Sequence, residues 1–233
     1  MTTDIVRYAL EGKTAILTMD DGKANALSYP LIDALSEALA RAEREAAAIV
    51  LTGRPDRFCA GFDLKEMMAG PDATRRLMRH GGDLLLKLYG TPLPLVIACT
   101  GHAIAGGALV VLTGDVRIGA AGAYRIGFNE LSIGLPVPML AQEFARDRLA
   151  PTALSRALLG AQIYAPDEAI TAGFLDAAVP AAELLARATA EAARLGAFSR
   201  SAYRATKERL RGATIARIAA SAEDDMTRLM SPS

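Results

Sequence analysis

The sequence has no tryptophan, only two cysteines and two histidines among 233 residues, and no excess of charge of either sign, with 26 Lys+Arg against 26 Asp+Glu. Each shortage closes off a class of function. Without net charge there is no field to draw the chain onto a phosphate backbone or an anionic membrane, so neither nucleic acid nor membrane is expected as a partner. Cys59 and Cys99 stand alone, without the paired spacing of a zinc knuckle or a redox dithiol, and so few thiols suit a reducing compartment, the cytoplasm. His80 and His102 have no third histidine and no spaced carboxylates around them, so no metal site is expected. The start, Met1-Thr2-Thr3-Asp4, lacks the basic and apolar run of a signal peptide. The patterns G-x-x-x-x-G-K-S/T, G-x-G-x-x-G and G-x-S-x-G are also missing, which leaves a P-loop, a dinucleotide fingerprint and a nucleophile elbow unsupported.

What is present fills a sizeable core. Thr91 to Gly114 carries no Asp, Glu, Lys or Arg, but Pro92, Pro94, Thr100, Gly101 and His102 divide it into a β-branched piece, a turn and a second apolar piece. That division predicts a buried strand feeding a buried helix rather than a membrane span. The chain opens as a hairpin, Ile5 to Leu10 and Thr14 to Met19 around Glu11-Gly12-Lys13. Ser28 and Pro30 mark a helix with Leu31, Leu35, Ala38, Leu39 and Ala42 on one face. Ala48 to Leu51 and Leu93 to Cys99 read as strands, Asp63 to Met68, Thr74 to Leu88 and Gly106 to Leu112 as helices, and Val116 to Ile118 with Tyr124 to Ile126 as a short strand pair. Alternating strands and helices predict an α/β fold with largely parallel pairing over residues 1–180. Residues 181–233 read as helices alone, a packing cap or an oligomer surface.

Two glycine turns follow apolar strands and open helices: Arg57-Phe58-Cys59-Ala60-Gly61-Phe62-Asp63-Leu64-Lys65 and Gly101-His102-Ala103-Ile104-Ala105-Gly106-Gly107-Ala108. A helix start leaves N–H groups without partners at the positive end of the peptide dipoles, and glycine lets a ligand come close to them. Two such turns can converge on one oxygen, as an oxyanion hole does.

With Gly22-Lys23-Ala24-Asn25-Ala26-Leu27, Gly114-Asp115, Gly127-Phe128-Asn129-Glu130, Ala165-Pro166-Asp167-Glu168-Ala169 and Gly173-Phe174-Leu175-Asp176, these blocks give the chain a likeness over most of its length. It resembles the crotonase, or enoyl-CoA hydratase/isomerase, superfamily. The resemblance implies a spiral of strand-strand-helix units with a helical carboxyl-terminal region, assembled as a homotrimer or a dimer of trimers. It also implies an acyl thioester substrate, with coenzyme A entering as part of it and no other cofactor. Carried onto this sequence, the oxyanion donors are the backbone N–H groups of Phe62 and Gly106. Lys23, Ala24, Ala26, Ala60, Gly61, Leu64 and Lys65 line the coenzyme A side, and Leu109, Gly107 and Pro138 belong to the pocket.

The family's hydratases use two glutamates. Here the first of those positions is Leu109 and the second is Glu130. Holding and activating a water while delivering another proton suits paired carboxylates, whereas one carboxylate can carry a proton between two carbons of an allylic thioester. The resemblance therefore implies a single-glutamate isomerase, moving a double bond from the 3 to the 2 position. The alternatives are a hydratase that recruits Asp63 or Glu66, and a non-catalytic acyl-CoA binder. Ile126, Phe128, Leu131, Ile133, Leu135 and Val137 surround Glu130 with apolar side chains, which predicts a partly desolvated carboxyl with a raised pKa.

Overall fold

The computed structural model describes residues 4–229. An antiparallel hairpin, β1 (Val6–Glu11) and β2 (Thr14–Met19), leads into helix α1 (Tyr29–Glu45) and strand β3 (Ala48–Thr52). Strand β4 (Asp56–Cys59), the one-turn helix α2 (Leu64–Met67) and the long α3 (Pro71–Gly90) follow, then β5 (Leu95–Cys99), β6 (Gly101–Ile104) and α4 (Gly106–Thr113). Next come β7 (Val116–Ala120), β8 (Ile126–Gly127), a 3-10 turn (Leu131–Ile133), α5 (Met139–Arg148) and α6 (Pro151–Leu158). The described residues finish with β9 (Ile163–Tyr164), α7 (Pro166–Ala172), β10 (Ala177–Val179), α8 (Ala181–Gly196) and α9 (Arg200–Leu229).

The strands form two sheets. The larger runs β1-β2-β3-β5-β7-β10 and is parallel beyond the hairpin; the smaller runs β4-β6-β8-β9, with only β9 antiparallel. Each strand pair β3/β4, β5/β6 and β7/β8 gives its first member to the large sheet and its second to the small one, then turns into helix, so the unit of strand, strand and helix repeats as a spiral. This corrects two expectations. Val116 to Ile118 and Tyr124 to Ile126 do not pair: β7 lies between β5 and β10, while β8 lies between β6 and β9. Arg57 to Cys59 and Gly101 to Ile104, read as the starts of turns, belong to neighbouring strands; a Cβ on Gly101 would stand 2.2 Å from the Asp56 carbonyl, so only glycine permits that approach.

Every residue of β3 and β5 is buried, as strands covered on both faces require. One face of the large sheet, with Leu17, Met19, Ile49, Leu51 and Ile97, packs with Leu31, Leu35 and Leu39 of α1 and with α3 and α4. The other, with Ile16, Val50, Val96 and Ala98, packs on Leu184, Ala188, Ala192 and Leu195 of α8. Helix α8 lies beyond residue 180, yet it supplies one whole layer of this core. Helix α9 is held by charge: Lys207 Nζ lies 2.6 Å and Arg211 Nη2 2.8 Å from the Asp115 carboxylate, and both also donate to main-chain carbonyls, those of Leu93 and Tyr89. Thr91 to Gly114 resolves into β5, β6 and α4, and among the described residues no helix is long and apolar enough to cross a membrane.

Candidate active site

The small sheet builds the site. In it Cys59 stands opposite Ala103, and Ala103 opposite Ile126, so three parallel strands end side by side. Phe62 and Gly106 each lie three residues beyond the in-register pair Cys59 and Ala103, and Glu130 lies four beyond Ile126. The chain therefore delivers both glycine turns and the segment that leads to Glu130 to one edge of the small sheet.

The two turns touch. A Cβ on Gly61, whose φ is +94°, would stand 3.2 Å from the Gly106 nitrogen, and a Cβ on Gly107 would stand 2.0 Å from the Cys59 carbonyl oxygen. Gly107 thus serves the close approach of the turns. Ala105 adopts φ 52°, ψ −121°, a conformation costly for a residue with a Cβ and a form of strain that clusters at functional sites. Its N–H donates to Gly127 O at 3.0 Å, which ties the second turn to the end of β8. On the first turn Leu27 N–H donates to Gly61 O and Asp63 N–H to Leu27 O, and the Phe62 N–H between them has no main-chain acceptor among the described residues. Gly106 opens α4, so its N–H has no acceptor within the helix.

Glu130 is 9% exposed, and among the described residues its Oε2 has no hydrogen-bond partner. Burial raises its pKa above the ordinary glutamate value, while its own N–H and that of Asn129 pull the other way. The backbone fixes it: Glu130 O accepts from Ile133 and Leu135 N–H at 3.0 and 2.9 Å, and buried Phe128 packs edge-on to Phe174. The Asn129 Oδ1 is likewise buried without a partner.

The residues expected on the coenzyme A side form the outer border of the first turn. Lys23, Ala60, Leu64 and Lys65 are exposed, Leu64 at 68%, while Ala24 and Ala26 are half-buried and Gly61 is buried. Ala60 N–H donates to Ala24 O at 3.0 Å, so the 22–27 loop and the turn are one surface. Asn25, within the loop expected along the coenzyme A path, builds that surface with its side chain, a part not assigned to it from the sequence. It is fully buried at φ 52°, and its Nδ2 donates to the carbonyls of Met19, Arg57 and Phe58. The available signal was an asparagine, which tolerates the left-handed region, one residue from a Lys-Ala step in a glycine-led loop. Asp21 completes the loop by accepting from the N–H groups of Lys23, Asn25 and Ala26.

Leu109 is 3% exposed on α4, within the core cluster, and Pro138 is half-buried at the start of α5. Asp63 caps α2, accepting from Lys65 and Glu66 N–H at 2.9 and 3.2 Å, and Glu66 lines a cleft with Tyr29, Asp33 and His80. Burial pushes the thiols of Cys59 and Cys99 up to about 12, which leaves neither as a ready thiolate at neutral pH. His80 contacts Asp33 at 2.6 Å, and His102 Nδ1 accepts from Arg125 N–H at 3.1 Å.

Comparison with known proteins gives this geometry relatives. A model of the enoyl-CoA hydratase/isomerase family matches residues 10–231. The chain is 31% identical over 222 residues to human enoyl-CoA delta isomerase 1, mitochondrial, spanning 93% of this chain and 74% of that protein. It is 32% identical over 211 residues to a probable enoyl-CoA hydratase of Rhodobacter capsulatus, spanning 89% of this chain and 81% of that one. An enoyl-CoA hydratase/isomerase family protein from Pseudomonas syringae, known from its crystal structure, superposes with a TM-score of 0.94 at 38% identity, covering 97% of this chain and 98% of that one.

Proposed function

We propose that this chain, which belongs to the enoyl-CoA hydratase/isomerase family, is an isomerase that converts 3-enoyl-CoA to 2-enoyl-CoA with Glu130 as its only acid-base group. In this reading the thioester oxygen sits against the Phe62 and Gly106 N–H groups. Glu130 removes a proton from C2; the C–H electron pair spreads through the former C3–C4 double bond and the carbonyl, and the two N–H donors stabilise the negative oxygen. The same carboxyl then returns the proton to C4, leaving the double bond between C2 and C3. A carboxylate with a raised pKa is the stronger base for the first step and, once protonated, a donor for the second.

The observation that carries the reading is Glu130 Oε2, a buried acceptor without a partner among the described residues, four positions beyond the β8 residue that pairs with the strand leading into the Gly106 turn. Against hydration stand the apolar, buried Leu109 at the place of the family's other glutamate, and the capping duty that occupies Asp63. A homotrimer or a dimer of trimers is the assembly proposed with it; exposed Leu131, Ile133 and Leu135 beside the site offer apolar surface to bury. Incubation with 3-enoyl-CoA and 2-enoyl-CoA in turn separates the readings. Double-bond migration without 3-hydroxyacyl-CoA is expected; water addition to 2-enoyl-CoA as the faster reaction would replace the isomerase by a hydratase, and tight binding with neither reaction would leave a binder.

A further inference from the structure

Helix α3 contains two adjacent glycines in its interior, where glycine is a poor helix former. Their surroundings differ. A Cβ on Gly82 would meet nothing closer than Leu140 Cδ1 at 3.8 Å, an ordinary contact, whereas a Cβ on Gly81 would stand 2.3 Å from Phe62 Cε1 and 2.9 Å from Cζ. The other edge of the same ring faces the second turn, since Phe62 Cδ2 is 3.2 Å from where a Cβ on Gly106 would be. The Phe62 ring is therefore lodged between α3 and the Gly106 turn, with Leu27 and Ile32 beside it, and the missing side chain of Gly81 is the space its tip occupies.

We propose that Gly81 is a specificity-determining residue: it parks the Phe62 ring against α3 and so keeps the ring off the acyl group held at the Phe62 and Gly106 N–H donors. This rests on the isomerase reading of the site. A methyl at position 81 has to displace the ring tip, and the ring is bounded on its far edge by the Gly106 turn. In this proposal the displaced ring enters the acyl space beside the Phe62 and Gly106 donors, and longer or bulkier chains suffer most.

The test is a cycle of Gly81→Ala, Phe62→Ala and the double variant, with Gly82→Ala as the control one residue away, assayed on a short-chain and a long-chain 3-enoyl-CoA. Gly81→Ala is expected to lower kcat/KM about tenfold to a hundredfold on the long chain and less on the short one, in the range that a misplaced methyl group commands in an apolar pocket. Gly82→Ala is expected to stay within about twofold on both and to raise Tm, because alanine is the better helix residue. In the Phe62→Ala background, Gly81→Ala is expected to change kcat/KM by less than about threefold, the coupling that a direct contact produces. Should Gly81→Ala fail to fold, folding of the double variant supports the seat, and failure of both overturns it. Equal losses with and without the ring, or identical behaviour of Gly81→Ala and Gly82→Ala, overturn the inference while wild-type turnover keeps the isomerase reading. A wild type that turns over no 3-enoyl-CoA overturns the reading first, and the inference with it.

Discussion

Glu130 and Glu143 are both buried, at 9% and 4% exposure, and are held in opposite ways. Glu143, on α5, accepts from Arg146 Nη1 and Arg217 Nε, each at 2.8 Å, so α5 and α9 are joined through a carboxylate whose charge is answered. Glu130 has no cation against it, and one of its oxygens has no partner at all among the described residues. Folding tolerates an unpaired buried carboxyl poorly, because the charged form loses its solvation with nothing in return. The difference separates a carboxylate that holds helices together from one that, in the proposed isomerase, is kept free to act on a ligand. Asp115 belongs with Glu143: it anchors Lys207 and Arg211, and it also accepts from Leu95 N–H at 2.8 Å.

Substitutions at the two kinds of site break or sharpen this contrast. The largest effect is expected at Glu130→Gln, which removes the base while keeping the shape; turnover of 3-enoyl-CoA should fall by about 10² to 10⁴, the span of general acid-base catalysis. Next is Asp115→Asn. It leaves Lys207 and Arg211 buried without their counter-charge, and loss of about 3–5 kcal/mol is expected, read as a fall in Tm of about 10 °C by circular dichroism. Asn25→Ala should cost about 2 kcal/mol, since the carbonyls of buried Met19 and Phe58 and that of Arg57 lose their donor and alanine takes on a positive φ. Its effect on turnover should appear mainly in KM, because the 22–27 loop borders the expected coenzyme A path.

The smallest effects are the most telling. Glu143→Gln should lower stability by about 1 kcal/mol and leave turnover within about twofold, since Arg146 and Arg217 are more than half exposed and can return to water. Glu130→Gln should do the reverse to stability. Because the pKa of Glu130 is raised in the folded chain, its favourable contribution is whole below the ordinary carboxylate range and is lost as pH rises through the folded value. The glutamine variant is therefore expected to melt about 2–4 °C above wild type at neutral pH, with the gap closing in acid. A variant less stable than wild type at pH 7 would place Glu130 among the structural carboxylates.

Much of this arrangement is visible in the sequence, and the exceptions have a common cause. The hairpin, α1 and the buried β3 declare themselves through local pattern: alternation around Gly12, apolar residues on one helical face, an unbroken apolar run. The two glycine turns are local as well; of the apolar residues expected around Glu130, Ile126 and Phe128 are buried, but Leu131, Ile133 and Leu135 stay exposed, so the burial of Glu130 is not their doing. Strands β4 and β6 are not local, because each is four residues long, half of β4 is exposed, and the alternation of β6 is too short to stand out. They are strands by virtue of each other, and of β8. Asn25 is in the same position, since its role lies in the carbonyls of Arg57 and Phe58, more than thirty residues away. Residues 181–233 read as a packing cap or an oligomer surface, and which surface α8 covers is non-local for that reason too: helical periodicity reveals an apolar face but not the sheet that meets it.

The most direct test of the free carboxylate is the pH dependence of kcat/KM for 3-enoyl-CoA. The base works only when ionised, so turnover should fall as pH drops through the Glu130 pKa, with a midpoint above the ordinary glutamate value of about 4.3 and no such limb in Glu130→Gln. A midpoint at or below that value, or a limb that survives in the glutamine variant, would contradict the account.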